Sequence, residues 1–146
     1  MTQEEKQLLL KDICARLQYG VKFTLSGDNI YTMKGIDLIV TDEGNWEYAV
    51  TAKGIIPIEI EYIKPYLRHI SSMTEEELNE CVIKSGIADI KCPTIKTFQD
   101  RLQHCINWFI ADTKEIDWLN MHHFDYRGLI EKGLALEAPE GMYKTE

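Results

Sequence analysis

Leu9, Ile13 and Leu17 recur every four residues, with Leu10 and Cys14 widening the stripe, and this spacing predicts a helix over 2–17 with one buried face. Thr2 and Glu5 form a T-x-x-E capping box at its start, Glu4, Lys11 and Asp12 fall on the charged face, and Gly20 supplies the stop. From Val21 the period drops to two. Val21, Phe23 and Leu25 alternate with Lys22, Thr24 and Ser26 before a turn at Gly27-Asp28-Asn29. Ile30–Met33 and Ile36–Val40 read as one strand interrupted by a bulge at Lys34-Gly35. Thr41-Asp42-Glu43-Gly44-Asn45 makes a second turn, after which Trp46, Tyr48 and Val50 alternate with Glu47, Ala49 and Thr51. A third turn, Ala52-Lys53-Gly54, leads to Ile58, Ile60 and Tyr62 alternating with Glu59 and Glu61. Short connections between half-polar strands predict antiparallel pairing with one face packed and the other wet. Pro57 lacks an N–H, which places its segment at a sheet edge or strand start.

The second half is helical. Thr74 and Glu77 form another capping box at the head of a helix over 74–84, with Met73 positioned to staple against Leu78. Ile95, Phe98, Leu102, Cys105 and Phe109 step by three and four, extended by Ile106 and Ile110, the signature of one buried helix face. A shorter helix is expected over 116–124. Asp125 is placed to cap a last turn ending at Gly133, and Leu134–Glu137 forms a short strand or extended tail. There is no internal repeat or low-complexity stretch, and the loop Gly86–Pro93 is too short to divide domains. The expected architecture is one α+β domain over 1–146: an N-terminal helix, an antiparallel meander of about four strands, and three or four helices packed on it.

Length and charge narrow the functional classes. A chain of 146 residues can bury a core without a disulfide or metal staple. The 24 acidic and 16 basic side chains leave a net charge of −8, which lacks the positive field needed for nucleic acid or an anionic membrane. The densest acidic run, Glu75-Glu76-Glu77, occupies a first helical turn, where the macrodipole favours carboxylates. The surplus therefore reads as dispersed solubility. The N-terminus has neither the basic start nor the apolar run of a secretory signal, and no stretch approaches the ~18 apolar residues of a membrane span. A cytoplasmic location with reduced thiols is expected. Cys14, Cys81, Cys92 and Cys105 are too dispersed for a zinc knuckle; Cys14, Cys81 and Cys105 fall on apolar faces, leaving Cys92 as the exposed thiol. No metal or cofactor is expected, and no glycine-rich phosphate loop is present.

His122-His123-Phe124-Asp125 is the segment that invites catalysis, since His122 and Asp125 are three apart and can share a helix face. Adjacent histidines point roughly 100° apart on a helix, so the two do not readily grip one metal, and Asp125 has a capping role to fill. The aromatic residues Trp108, Trp118 and Tyr126, with Arg127, are of the types that dominate interfaces, and they also fill cores. Three functional readings follow. The leading one is a non-enzymatic protein-binding or accessory module, working through Trp108, Trp118, Tyr126 and Arg127 on a protein partner or by self-association. The second is a small hydrolase using His122, His123 and Asp125. The third is an acidic decoy that binds a DNA-processing protein.

Three stretches are similar to a known group when taken together: Leu8–Leu17 running into Tyr19-Gly20-Val21-Lys22, Tyr62–Arg68 ahead of Ser71–Glu76, and the tail Trp118-Leu119-Asn120, His122–Ile130 and Gly133–Tyr143. They resemble small proteins of unknown function from gut Bacteroidetes and their phages. Gln18 and His69 stand where such proteins carry proline. The resemblance implies a cytoplasmic, mobile-element-encoded protein and brings no activity and no site residues.

Overall fold

Thr2 opens the first helix as the sequence predicts. Its hydroxyl accepts from the Glu5 N–H at 3.1 Å, and the Glu5 carboxylate accepts from the Thr2 N–H at 2.8 Å. The protein is described by a computed structural model covering residues 1–26, 28–85, 96, 100 and 113–143. Its elements run α1 (Gln3–Arg16), β1 (Lys22–Thr24), β2 (Tyr31–Val40), β3 (Trp46–Ala52), β4 (Ile58–Glu59), β5 (Lys64–Leu67), α2 (Glu75–Ser85), α3 (Thr113–Met121) and β6 (Leu136–Glu137). The class is α+β. Among the described residues there are six strands in the order β4-β3-β2-β1-β5-β6 and three α-helices, against about four strands and four or five helices expected. The helix expected around Ile95–Ile110 lies outside the described residues, as do the Gly86–Pro93 loop, Cys92, Cys105 and Trp108. No described helix is long and apolar enough to cross a membrane.

Backbone contacts divide the chain into two compact units, Met1–Tyr66 with Leu129–Leu136, and Leu67–Gly128 with Glu137–Glu146. In the first, β1 pairs antiparallel with β2 and β5, and β3 pairs antiparallel with β2 and β4. The expected bulge is present: Met33 opposes Ala52 but Gly35 opposes Thr51, leaving Lys34 as the extra residue. A Cβ on Gly35 would lie 2.9 Å from Thr51 Oγ1, so glycine permits the close approach of the strands there. Leu9, Ile13, Val21, Phe23, Met33, Ala49, Val50 and Ile60 are fully buried in this unit.

Two charged residues of α1 overturn the expected division of its faces. Asp12, assigned to the wet face, is fully buried with Arg16 one turn on; Arg16 Nε and Nη2 donate to the two Asp12 oxygens at 2.8 and 3.0 Å. Cys14, assigned to the apolar stripe, is exposed instead. Pro57 precedes β4, which is both short and at the sheet edge, as its missing N–H requires.

In the second unit, α2 packs against α3 over Ile70, Met73, Leu78, Cys81, Trp118, Leu119, Phe124 and Tyr126. The Thr74–Glu77 capping box forms in both directions, at 2.9 and 3.1 Å. Helix α3 ends three residues before the expected Phe124, for a local reason. His123 adopts φ 61°, its N–H donates to the Asn120 carbonyl at 3.1 Å, and the Phe124 N–H donates to the Leu119 carbonyl at 3.0 Å. This is a Schellman stop with His123 at the left-handed position usually held by glycine, closed by the buried Leu119 and Phe124 side chains. Residues 129–133 form the turn expected to end at Gly133, whose N–H donates to the Ile130 carbonyl at 3.0 Å with φ 71°.

Candidate interaction surface

The β2–β3 hairpin outruns the strands that flank it. On β2, β1 pairs only with Tyr31 and Thr32; on β3, β4 pairs only with Ala49 and Val50. Beyond those residues, Ile36–Val40 and Trp46–Tyr48 pair, among the described residues, only with each other and form a two-stranded arm. Its tip is a three-residue loop: the Gly44 N–H donates to the Thr41 carbonyl at 2.8 Å, the Thr41 N–H donates to the Asn45 carbonyl at 2.8 Å, and Gly44 takes φ 83°. Counting from the Thr41–Asn45 bond, Val40–Trp46 and Leu38–Tyr48 are non-hydrogen-bonded pairs. Their side chains are therefore close and share one face, and their N–H and C=O groups point outward along the arm's edges.

That face is apolar and wet. Trp46 is 69% exposed, Leu38 56%, Val40 55% and Tyr48 45%. Isolated exposed apolar residues are ordinary, but two successive cross-strand pairs on the same face make a contiguous patch. The strand alternation places Val50 on the same face, where it is fully buried, so the patch continues outward from the core of the unit.

Beside the arm lies a groove of about 330 Å³ lined by Gln3, Lys6, Gln7, Leu10, Trp46, Glu47, Tyr48 and Ile60. Lys6 Nζ sits 3.0 Å from Glu47 Oε2. The Glu47 hydrogen bond, helped by the charges of Glu61, Glu47 and Glu59 and opposed by desolvation, raises the Lys6 pKa above the usual lysine value. Glu59 is also raised, first by desolvation and then by the charge of, and hydrogen bond with, Glu61. Lys6 is thus paired with Glu47 and also feels the charges of Glu59 and Glu61.

The second unit carries a cleft of about 520 Å³ lined by Arg68, His69, Ser72, Glu77, the 137–141 segment and Tyr143. Arg68 is committed to structure: its guanidinium grips Glu77 at 2.9 and 3.0 Å and lies 4.2 Å from the centre of the Phe124 ring. Burial alone would raise the Glu77 pKa, but hydrogen bonds from Arg68 and the Thr74 N–H, with the charges of Arg68 and His122, leave it lowered. The contribution of Glu77 is accordingly full above the unfolded value near ~4.3 and fades as pH falls through the folded value. Thermal melts should show stability declining as pH drops below about 4.5, and Glu77→Gln should flatten that decline. A decline of the same steepness in the variant would show that other carboxylates carry it.

No family model, curated protein or solved structure matches this chain.

The residues singled out from sequence are distributed as follows. Trp118 and Tyr126, read as partner contacts, are 3% and 6% exposed and belong to the core of the second unit. Tyr126 donates its hydroxyl hydrogen to Asn120 Oδ1 at 2.9 Å, and half-buried Arg127 donates to the Tyr126 hydroxyl at 2.9 Å. These side chains are occupied in holding the unit together, and Trp108 lies outside the described residues. The His122 ring stacks on Trp118 at 4.1 Å and the His123 ring on Tyr143 at 3.8 Å, so consecutive imidazoles are laid against different aromatic partners. Asp125 donates its N–H to the Arg68 carbonyl at 2.8 Å, within a parallel bridge between Arg68 and Phe124. His122, His123 and Asp125 do not line the cleft of this unit. Among the described residues, no group of three or more His, Cys, Asp or Glu side chains is placed to hold a metal ion. The arm face was missed because Trp46, Tyr48 and Val50 alternate as a packed face would.

Proposed function

We propose that this protein is a binding module that docks another protein on the exposed face of its β2–β3 arm, with Leu38, Val40, Trp46 and Tyr48 as the central contacts. One observation carries the reading: four large apolar side chains stand solvent-exposed on one face of an arm whose two edges, among the described residues, are unpaired beyond the main sheet. Tryptophan and tyrosine are the residue types most often found at the energetic centre of interfaces. Open strand edges add main-chain hydrogen-bonding capacity for a partner. The contact region of the leading sequence reading thereby moves from the C-terminal aromatics to the hairpin.

A photo-activated cross-linking side chain placed at Val40 tests this in cells that make the protein. Discrete adducts are expected from position 40 and none from a control at the exposed Lys132. Equal labelling at the two positions, or none at position 40, would remove the proposal.

A further inference from the structure

Resting on that reading, we infer the chemistry of the partner: an extended protein segment bearing lysine or arginine alternating with apolar residues, seated in the groove beside β3. Its backbone pairs with the open edge of β3 from Trp46 to Tyr48; its cations lie on the Glu47 side, near Glu59 and Glu61, and its apolar side chains lie on the opposite face with Trp46 and Tyr48.

Three independent features converge on this occupant. The first is the edge. β4 leaves β3 after Ala49, because the chain turns into a 3₁₀ segment at Ile60–Tyr62, and the register directs the N–H and C=O groups of Trp46 and Tyr48 outward. An incoming strand would continue the line of β4. The second is charge. Gly35–Ala52 holds Asp37, Asp42, Glu43 and Glu47 and no lysine or arginine. In the flanking groove Lys6 is ion-paired with Glu47, and Glu59 and Glu61, on either side of the lining residue Ile60, add negative charge that reaches Lys6, so carboxylates outnumber the cation there. The mutual repulsion of Glu59 and Glu61 is relieved when a cation arrives. The third is the aromatic face on the other side of β3, where the exposed Trp46 and Tyr48 rings offer apolar area to the alternate, uncharged side chains of the occupant. A second copy of this chain would bring the same carboxylates onto the same surface, and anionic lipid or nucleic acid phosphates would be repelled in the same way.

The test uses the full chain and three blocked synthetic peptides, read by calorimetry. One alternates lysine and valine, one alternates glutamate and valine, and one is the lysine–valine peptide with alternate backbone nitrogens methylated. The lysine–valine peptide is expected to bind. Its affinity should fall about tenfold or more with Trp46→Ala, with Glu59→Gln/Glu61→Gln, on methylation, and on raising salt to ~0.5 M. The glutamate peptide should not bind. Equal binding of the lysine and glutamate peptides, binding of neither, or lysine-peptide binding untouched by Trp46→Ala would each overturn the inference. The docking face is judged separately: adducts from position 40 to an acidic partner, or to a second copy, would keep the face and discard the cationic occupant.

Discussion

Asp12→Ala is expected to destabilise the protein by about 3–5 kcal/mol, far more than a typical helical surface substitution. The carboxylate is fully buried and receives two hydrogen bonds from Arg16, itself fully buried. Removing it leaves a guanidinium inside the protein with its principal counter-charge gone. Water is excluded there, so much of what offsets the desolvation cost of the cation is lost. The double variant Asp12→Leu/Arg16→Met replaces the pair by apolar volume and should recover most of the loss. Denaturant unfolding measures both, with a fall in midpoint at constant slope for the single variant. A single-variant loss under about 1 kcal/mol would show that the pair is solvated.

Phe124→Ala should cost about 3–5 kcal/mol in the same experiment. The ring is fully buried, stacks on Trp118 at 5.9 Å between centroids, and carries the Arg68 guanidinium on its face. It also closes the Schellman stop against Leu119. Truncation therefore removes core packing, the seat of the Arg68–Glu77 pair and the hydrophobic lock of a helix end at once. A loss as small as that of a surface residue would mean that the ring's surroundings collapse to fill the space.

Features set by neighbouring residues were legible in the chain. Thr2 with Glu5 and Thr74 with Glu77 announced two helix starts, and each box forms because both partners lie within one turn. Lys34-Gly35 marked the bulge, and Thr41–Asn45 marked a tight hairpin loop whose left-handed position falls to Gly44. Features that depend on what covers an element were not legible. Nothing local distinguishes a buried Asp12–Arg16 pair from a solvated one, because spacing of four serves both. The stop at His123 was obscured because a non-glycine residue takes the left-handed conformation, held there by backbone hydrogen bonds and the Tyr143 stack. Pro65 hid β5, since proline reads as a breaker although it opposes Phe23 in the sheet. The largest difference concerns function. Alternation identifies two faces of a strand but not which face is left in water, and aromatics such as Trp118 and Tyr126 suit a core and an interface alike. In the structure Trp46 and Tyr48 are exposed, whereas Trp118 and Tyr126 are buried.

That contrast is most directly tested by the unfolding free energy of Leu38→Ser/Trp46→Ser, measured beside Trp118→Ala. Cross-strand pairs on an exposed arm contribute only ~0.2–1 kcal/mol each, so the arm variant should remain folded and lose less than about 2 kcal/mol in all. The Trp118 variant should lose about 3–5 kcal/mol. A loss from the arm variant equal to that of Trp118→Ala would mean that Leu38 and Trp46 are part of the folded core, and the arm would no longer be a surface on which a partner could dock.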